Sequence, residues 1–277
     1  MNSPIVSTQW LANNIHRQDL VLLDVSMDKV VGKEPLLYNS PVFIPSSQRL
    51  SLERDLINLN SGQANTLPTV AQFNRAMVSQ GVHRDNTVVV YDNQGIYSAP
   101  RGWWIFKTMG FDNVYMLDGG LPQWIAEGRE TSPHLKVGSN DGTLCGDFST
   151  GCVVDVPQVL AGIECIDTCI VDARSASRFA GEGVEPRPGL RSGHIPSSLN
   201  LPFAKVLDEY KFKSATQIAH VFKSLSVSSN QQLIFSCGSG ITACILIAAA
   251  YIANYKSLSL YDGSWSEWGA NPDLPLA

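Results

Sequence analysis

Residues Gln231 to Ala253 read QQLIFSCGSGITACILIAAAYIA. An apolar run, Leu233, Ile234 and Phe235, ends at Ser236, and Cys237 follows at once. Gly238 and Gly240 then mark a short loop, and an apolar helix is expected from about Thr242. This order of elements places a thiol at the carboxyl end of a strand, facing a helix N-terminus. Open α/β sheets bind ligands at that edge. The N–H groups of such a loop and of the first helical turn lack partners of their own and favour an anion. A thiolate is one, so Cys237 reads as a nucleophile held in its ionised form. The glycines fit, because several N–H groups converge on one point only in backbone conformations that glycine reaches without a Cβ clash. The alternative is a buried cysteine at a strand end with CGSG as an ordinary turn.

The chain repeats itself. LVLLDVS (Leu20 to Ser26) matches CIVDARS (Cys169 to Ser175), TVVVYDNQG (Thr87 to Gly95) matches QLIFSCGSG (Gln232 to Gly240), and NVYMLDGGLPQW (Asn113 to Trp124) matches SLSLYDGSWSEW (Ser257 to Trp268). Three matched blocks at a nearly constant spacing indicate a duplication. In the first copy, strands are expected near 20–25, 87–92 and 113–117, with helices near 69–80, 99–109 and 121–127. Pro68 is a start signal for the first of these helices and Gly81 a stop. Short, continuous Val-, Ile- and Leu-rich strands alternating with helices predict parallel sheets covered on both faces. The fold class is therefore α/β, two tandem domains, each a parallel sheet flanked by helices. The stretch from about Gly128 to Ser149 is rich in Ser, Gly, Asp, Thr and Pro, lacks periodicity and reads as a linker. The boundaries are 1–130 for the first domain, 131–150 for the linker and 151–277 for the second. Asp92 stands where the second copy has Cys237, so the chemistry is assigned to the second domain and a supporting role to the first.

Bulk properties agree. The 277 residues are 44% hydrophobic and 16% charged, with a formal charge of −5. This suits a globular protein and argues against a nucleic-acid binder. The longest apolar run, Ala243 to Ala253, is too short for a bilayer. The opening MNSPIVSTQWLANN shows no secretory pattern, so a cytoplasmic location with reduced thiols is expected. The six cysteines, at 145, 152, 165, 169, 237 and 244, form no CxxC pair and show no zinc-finger spacing. Cys165 and Cys169 read as structural. No metal site is expected.

The same residues resemble the rhodanese superfamily in its tandem-domain form, and within it the 3-mercaptopyruvate sulfurtransferases. CGSGIT (Cys237 to Thr242) looks like that family's CGSGVT loop. LYDGSWSEWG (Leu260 to Gly269), IYSAPRGWW (Ile96 to Trp104) and SGHIPSSLNLPF (Ser192 to Phe203) are further marks. The resemblance implies that Cys237 takes sulfur from 3-mercaptopyruvate as a persulfide and passes it to a thiol, such as that of a thioredoxin-like protein, or to cyanide, releasing pyruvate. It implies a substrate site lined by Gly238, Gly240, Ile241 and Thr242. In SRFAGEGVEPRPG (Ser177 to Gly189) it implies that Arg178 and Arg187 bind the substrate's carboxylate and carbonyl, a task to which a guanidinium fork is suited. It implies no cofactor, nucleic acid or membrane.

The resemblance further implies that Ser239 assists proton transfer with a His and an Asp from the first domain. Here the chain departs from the pattern. Asn65 falls at the place of the His, and Glu53, Arg54 and Asp55 lie near that of the Asp. Asn can hydrogen-bond but takes no proton at neutral pH. Among the remaining polar residues, His194 reads as the brace of a turn, Asp172 and Asp262 as strand-end acceptors, and the tryptophans at 103, 104, 124, 265 and 268 as packing. Arg101 is left unplaced.

Three alternatives remain. A cysteine phosphatase needs Arg six positions after the Cys, where this chain has Ala243. A binding module would gain no sulfur. A thiosulfate sulfurtransferase carries, in this family, Arg and Lys where Gly238 and Ser239 stand.

Overall fold

The computed structural model describes residues 3–277, which divide into two compact units. Unit 1 comprises the chain up to Asn58, Leu67–Ser149 and Asp208–Phe212. Unit 2 comprises Leu59–Thr66, Thr150–Leu207 and Lys213–Ala277. The duplication is plain in the sheets. Unit 1 carries β1 (Ile5–Val6), β2 (Leu20–Asp24), β3 (Gln48–Arg49), β4 (Thr87–Tyr91) and β5 (Val114–Leu117), ordered β1-β5-β4-β2-β3 and parallel throughout. Unit 2 carries β6 (Val153–Val154), β7 (Thr168–Asp172) and β8 (Leu199–Asn200). Along the chain there follow a two-stranded ribbon of β9 (Leu207–Asp208) and β10 (Lys211–Phe212), most of which belongs to unit 1, and then, in unit 2, β11 (Gln232–Ser236) and β12 (Leu258–Tyr261). The main sheet is ordered β6-β12-β11-β7-β8, again all parallel.

Burial explains the apolar runs. β4 from Val88 to Tyr91 is 0% exposed, as are Leu233 and Phe235 in β11. These strands have helices over both faces, which is why they do not alternate. Each such side chain contributes about 1.5–3 kcal/mol by leaving water. In unit 1 the helices are α1 (Thr8–Asn14), α2 (Val70–Gln80), α3 (Ala99–Thr108) and α4 (Gly120–Ala126). In unit 2 they are α5 (Val156–Ile163), α6 (Ala176–Phe179), α7 (Ala215–Ser224), α8 (Ala243–Ile252) and α9 (Ser264–Trp268). α8 is apolar all round and buried from Ala243 to Ala250, as such a helix must be in water. Trp124 and Trp268 occupy matching places in the cores of the two units, the latter beside Trp265 and Tyr261.

The ends of α2 follow the sequence signals. Thr69 and Gln72 form a reciprocal capping box. Gly81, at φ 68°, closes the helix, its N–H donating to Val78 while that of Val82 donates to Met77.

The stretch expected to be a linker packs along unit 1. Phe43 and Ser132 exchange two backbone hydrogen bonds of 2.9 Å, and the Lys136 N–H donates to the Ser47 carbonyl at 2.7 Å. The Asn74 side chain accepts from the N–H groups of Cys145 and Gly146 at 3.0 and 2.7 Å. A Cβ on Gly138 would stand 2.1 Å from the Ser79 carbonyl oxygen, and one on Gly142 2.2 Å from that of Met77. This segment is glycine-rich because its backbone presses directly on the end of α2, and such packing leaves no hydrophobic period. Gly142→Ala is expected to destabilise unit 1 by about 1–3 kcal/mol through overpacking, read as a lower urea midpoint.

Candidate active site

The site is assembled in unit 2 at the carboxyl end of β11. The Ser236 carbonyl accepts from the Ala173 N–H at 2.9 Å, which ties the strand end to the residue after β7. Cys237 follows, 2% exposed. Its loop is hung from α9. The Cys237 N–H donates to Ser264 Oγ at 3.2 Å, while the N–H groups of Trp265 and Ser266 donate to the Cys237 and Gly238 carbonyls, both at 2.9 Å. Ser264 Oγ in turn donates to the Tyr261 carbonyl at 2.9 Å. With its carbonyls held on the α9 side, the loop passes through Gly240 at φ 78° and enters α8. Thr242 is the residue before that helix, so the helix starts one residue later than the sequence suggested. Ser239 and Ile241 are buried, at 7% and 6% exposure.

Two arginines from the segment between β7 and β8 reach this loop. The Arg178 guanidinium lies beside Gly238, where a Cβ would stand 3.1 Å from Nη2. Glycine at 238 leaves that guanidinium uncrowded. Arg187 Nη2 donates to Ser239 Oγ at 3.1 Å. Asn65 comes to the same hydroxyl, its Nδ2 donating at 2.8 Å. Although Asn65 lies early in the chain, its segment belongs to unit 2, where Gln63 Nε2 donates to Glu267 Oε1 at 2.8 Å. Asn65 has φ 59°, a conformation Asn tolerates better than most residues.

Beneath the arginines is a buried charge network that sequence reasoning missed. Glu185, with its side chain 4% exposed, accepts from Arg178 Nη2 at 2.6 Å and from Arg174 Nη1 at 2.9 Å. Arg174 is wholly buried. It also donates through Nε to Asp172 at 2.9 Å and through Nη2 to the Gly193 carbonyl at 2.8 Å, and lies 4.1 Å from the Trp265 ring centroid. One carboxylate thus fixes Arg178 against a second, immobile cation. The available signal was an acid between two arginines in one short segment.

The structure therefore brings together Cys237, Gly238, Ser239, Arg178, Arg187 and Asn65. Other candidates lie elsewhere. His194 braces a turn, Nδ1 being 2.9 Å from the Phe179 carbonyl and the ring stacked on Phe179 at 3.8 Å. Glu53 and Asp55 accept from the backbone N–H groups of Asp28 and Ser51 within unit 1. Arg101 is buried in unit 1. All six cysteines are free. Burial pushes the Cys169 thiol up to about 11, as suits a structural residue, while Cys165 is exposed.

Unit 1 has a loop at the matching place, and it is filled. Asp92 follows β4, and its Oδ2 accepts from the N–H groups of Tyr97, Ser98 and Ala99 at 2.9, 2.8 and 2.7 Å. Its Oδ1 accepts from that of Gln94 at 2.8 Å. Burial pushes this carboxyl upward while the four donors pull the other way.

Comparison with known proteins agrees with this architecture. The Rhodanese-like domain family matches residues 7–127 and 155–271, one match in each copy. The chain belongs to the rhodanese-like family. Among the relatives of this tandem rhodanese-like chain, 3-mercaptopyruvate sulfurtransferase of Escherichia coli (strain K12) is 35% identical, covering 98% of this chain and 96% of its own. The enzyme of the same name from Rattus norvegicus is 34% identical over 95% of this chain and 91% of its own. The crystal structure of SseA from Escherichia coli, described as a 3-mercaptopyruvate sulfotransferase with the rhodanese fold, superposes with a TM-score of 0.81 at 28% identity, over 96% of this chain and 100% of that one.

The filled loop of unit 1 gives a test. Asp92→Asn turns an acceptor-only group into one that points N–H at N–H. It is expected to cost about 2–4 kcal/mol of stability, measured by urea denaturation, with the loss confined to unit 1 in hydrogen exchange.

Proposed function

We propose that this protein moves sulfur from 3-mercaptopyruvate to a thiol acceptor through a persulfide on Cys237, releasing pyruvate. The observation that carries this reading is the pair of guanidinium groups, Arg178 and Arg187, brought to the Cys237 loop from outside it while the loop itself bears no cation. A 2-oxo acid offers a planar carboxylate and a neighbouring carbonyl, which guanidinium forks match in shape as well as charge. The names of the relatives point the same way.

The thiolate of Cys237 attacks the substrate's sulfur. An S–S bond forms, the C–S bond breaks, and its electron pair passes into the carbonyl to give the enolate of pyruvate. The transferred sulfur keeps its proton, and the enolate takes one from solvent at carbon. Arg178 and Arg187 hold the substrate for in-line attack, which removes much of the entropic barrier. Loop N–H groups of residues 238 to 242 steady the charged sulfur without reorganising. An acceptor thiol, such as that of a thioredoxin-like protein, or cyanide then takes the outer sulfur and restores the thiolate. Six free cysteines suit a reducing compartment such as the cytoplasm. No helix among the described residues is long and apolar enough to cross a membrane.

Two variants test this. Cys237→Ser is expected to abolish the gain of one sulfur atom in intact mass after incubation with 3-mercaptopyruvate, and to lower turnover by about a thousandfold or more. Retained turnover would refute the proposal. Gly238→Arg crowds Arg178, whose Nη2 would lie 3.1 Å from the new Cβ, and sets a second cation beside it. It is expected to reduce kcat/KM for 3-mercaptopyruvate by about tenfold or more. Thiosulfate, which has no carboxylate for Arg178 to grip, should be affected far less, measured with the same thiol acceptor.

A further inference from the structure

Arg178 has two donor edges, and they face different ways. Its Nε and Nη2 donate to Glu185 at 3.3 and 2.6 Å. Its Nη1 and Nη2 lie on the side of the Cys237 loop, 3.7 and 3.1 Å from where a Cβ on Gly238 would stand. A guanidinium is planar, so an acid gripping one edge sets the direction of the other. Glu185 is itself held fast. Its side chain is 4% exposed, and its Oε1 also accepts from Arg174, which is wholly buried and tied to Asp172. Within this cluster two cations, Arg174 and Arg178, face two anions, Asp172 and Glu185, so the charges cancel. Arg187 meets Ser239 Oγ and, among the described residues, no carboxylate. The two arginines at the loop therefore bring it the field of one uncompensated positive charge, that of Arg187.

We infer that Glu185 is a positioning residue that sets which sulfur donor the site accepts. It turns one edge of Arg178 towards the substrate and cancels that arginine's charge, so the site suits a planar monoanion and disfavours a dianion. This rests on the sulfur-transfer reading and deepens it. 3-Mercaptopyruvate carries one negative charge in a flat carboxylate, which an oriented guanidinium edge grips with two parallel hydrogen bonds. Thiosulfate carries two charges and no flat group. It gains little from an oriented edge and needs net positive charge instead. Neutralising Arg178 weakens the pull on any anion. In return the carboxylate is held in one direction, and the donor sulfur is presented to Cys237 along one line. Glu185 acts through Arg178 throughout.

The test is a change of sign between two donors. Glu185→Gln removes the charge and nearly keeps the shape, while Arg174 retains Asp172 and the Gly193 carbonyl. It is expected to lower kcat/KM for 3-mercaptopyruvate by about tenfold. The loss falls on kcat more than on KM, because the released guanidinium still attracts the carboxylate but no longer directs it. The same variant is expected to raise kcat/KM for thiosulfate by about threefold or more. A merely structural role would lower both. Glu185→Asp keeps the charge but shortens the reach, and is expected to impair 3-mercaptopyruvate with no gain for thiosulfate. Thermal melts establish that each variant is folded. One arm needs no variant: pyruvate, a planar monoanion, is expected to inhibit the wild type at least about tenfold more strongly than sulfate at equal ionic strength. Glu185→Gln without a gain for thiosulfate would overturn the inference, and so would an equal gain in Glu185→Asp. Sulfate inhibiting the wild type as strongly as pyruvate would overturn it as well. Intact mass of the wild type after incubation with 3-mercaptopyruvate separates the two levels. A gained sulfur atom together with any of those results defeats this inference alone, whereas no gain defeats the sulfur-transfer reading too.

Discussion

A loop of peptide N–H groups closed on the end of a central parallel strand calls for a negative charge. The strand end is buried, water is scarce there, and converging donors left without an acceptor are costly. Unit 1 closes such a loop on Asp92, and unit 2 carries Cys237 at the matching place. In unit 1 the anion is part of the polypeptide, the Asp92 carboxylate with four N–H donors. In unit 2 the same place holds Cys237. A carboxylate makes the loop a finished piece of structure; a thiol leaves it open to chemistry.

The segments covering the two loops diverged accordingly. In unit 1, residues 31 to 38 are fastened over the Asp92 loop. Lys33 Nζ donates to the Gln94 carbonyl at 3.0 Å, the Leu36 N–H to Gln94 Oε1 at 2.8 Å, and the Tyr38 hydroxyl to the Asn93 carbonyl at 2.7 Å. Burial, with the Asp92 charge adding to it, pushes the Tyr38 phenol up to about 12. In unit 2 the segment that follows the matching strand supplies Arg178, Glu185 and Arg187. It is held by the buried pairing of Glu185 with Arg174, and it meets the loop through Arg187 on Ser239 and Arg178 beside Gly238. A closed cover seals a filled site, whereas an anchored arginine segment leaves room for a substrate.

Legibility from sequence followed the kind of force involved. Strands β2, β4, β5, β7 and β11 were readable because burial on both faces demands apolar runs. α2 was readable from Pro68 before its start and from Gly81, whose left-handed backbone closes its end. Cys237, Ser239, Arg178 and Arg187 were recognisable from motif and resemblance, and the structure sets them close to one another. What stayed hidden depends on backbone contact or long-range pairing. The stretch from Gly128 to Ser149 looks like a linker because it docks through its peptide groups. Asn65 falls within the first half of the sequence but within unit 2 of the fold. The Glu185 bridge needs three residues of one loop to fold back on Arg174, and no periodicity announces that. The support Ser264 gives to Cys237 spans 27 residues of sequence.

Why the cations should stand beside the loop and not on it follows from geometry. A cation carried by the residue after the nucleophile serves as a nearby charge, sufficient for a compact dianion. An arginine held from the side by a buried carboxylate has a fixed plane, and a fixed plane can select a planar carboxylate by orientation. A side chain at position 238 would crowd the Arg178 guanidinium, its Cβ alone standing 3.1 Å from Nη2. Glycine at 238 is thus as much a determinant of the site as the arginine it admits. The neutrality of the loop, a lack when read from sequence alone, becomes in the fold the condition for an oriented cation.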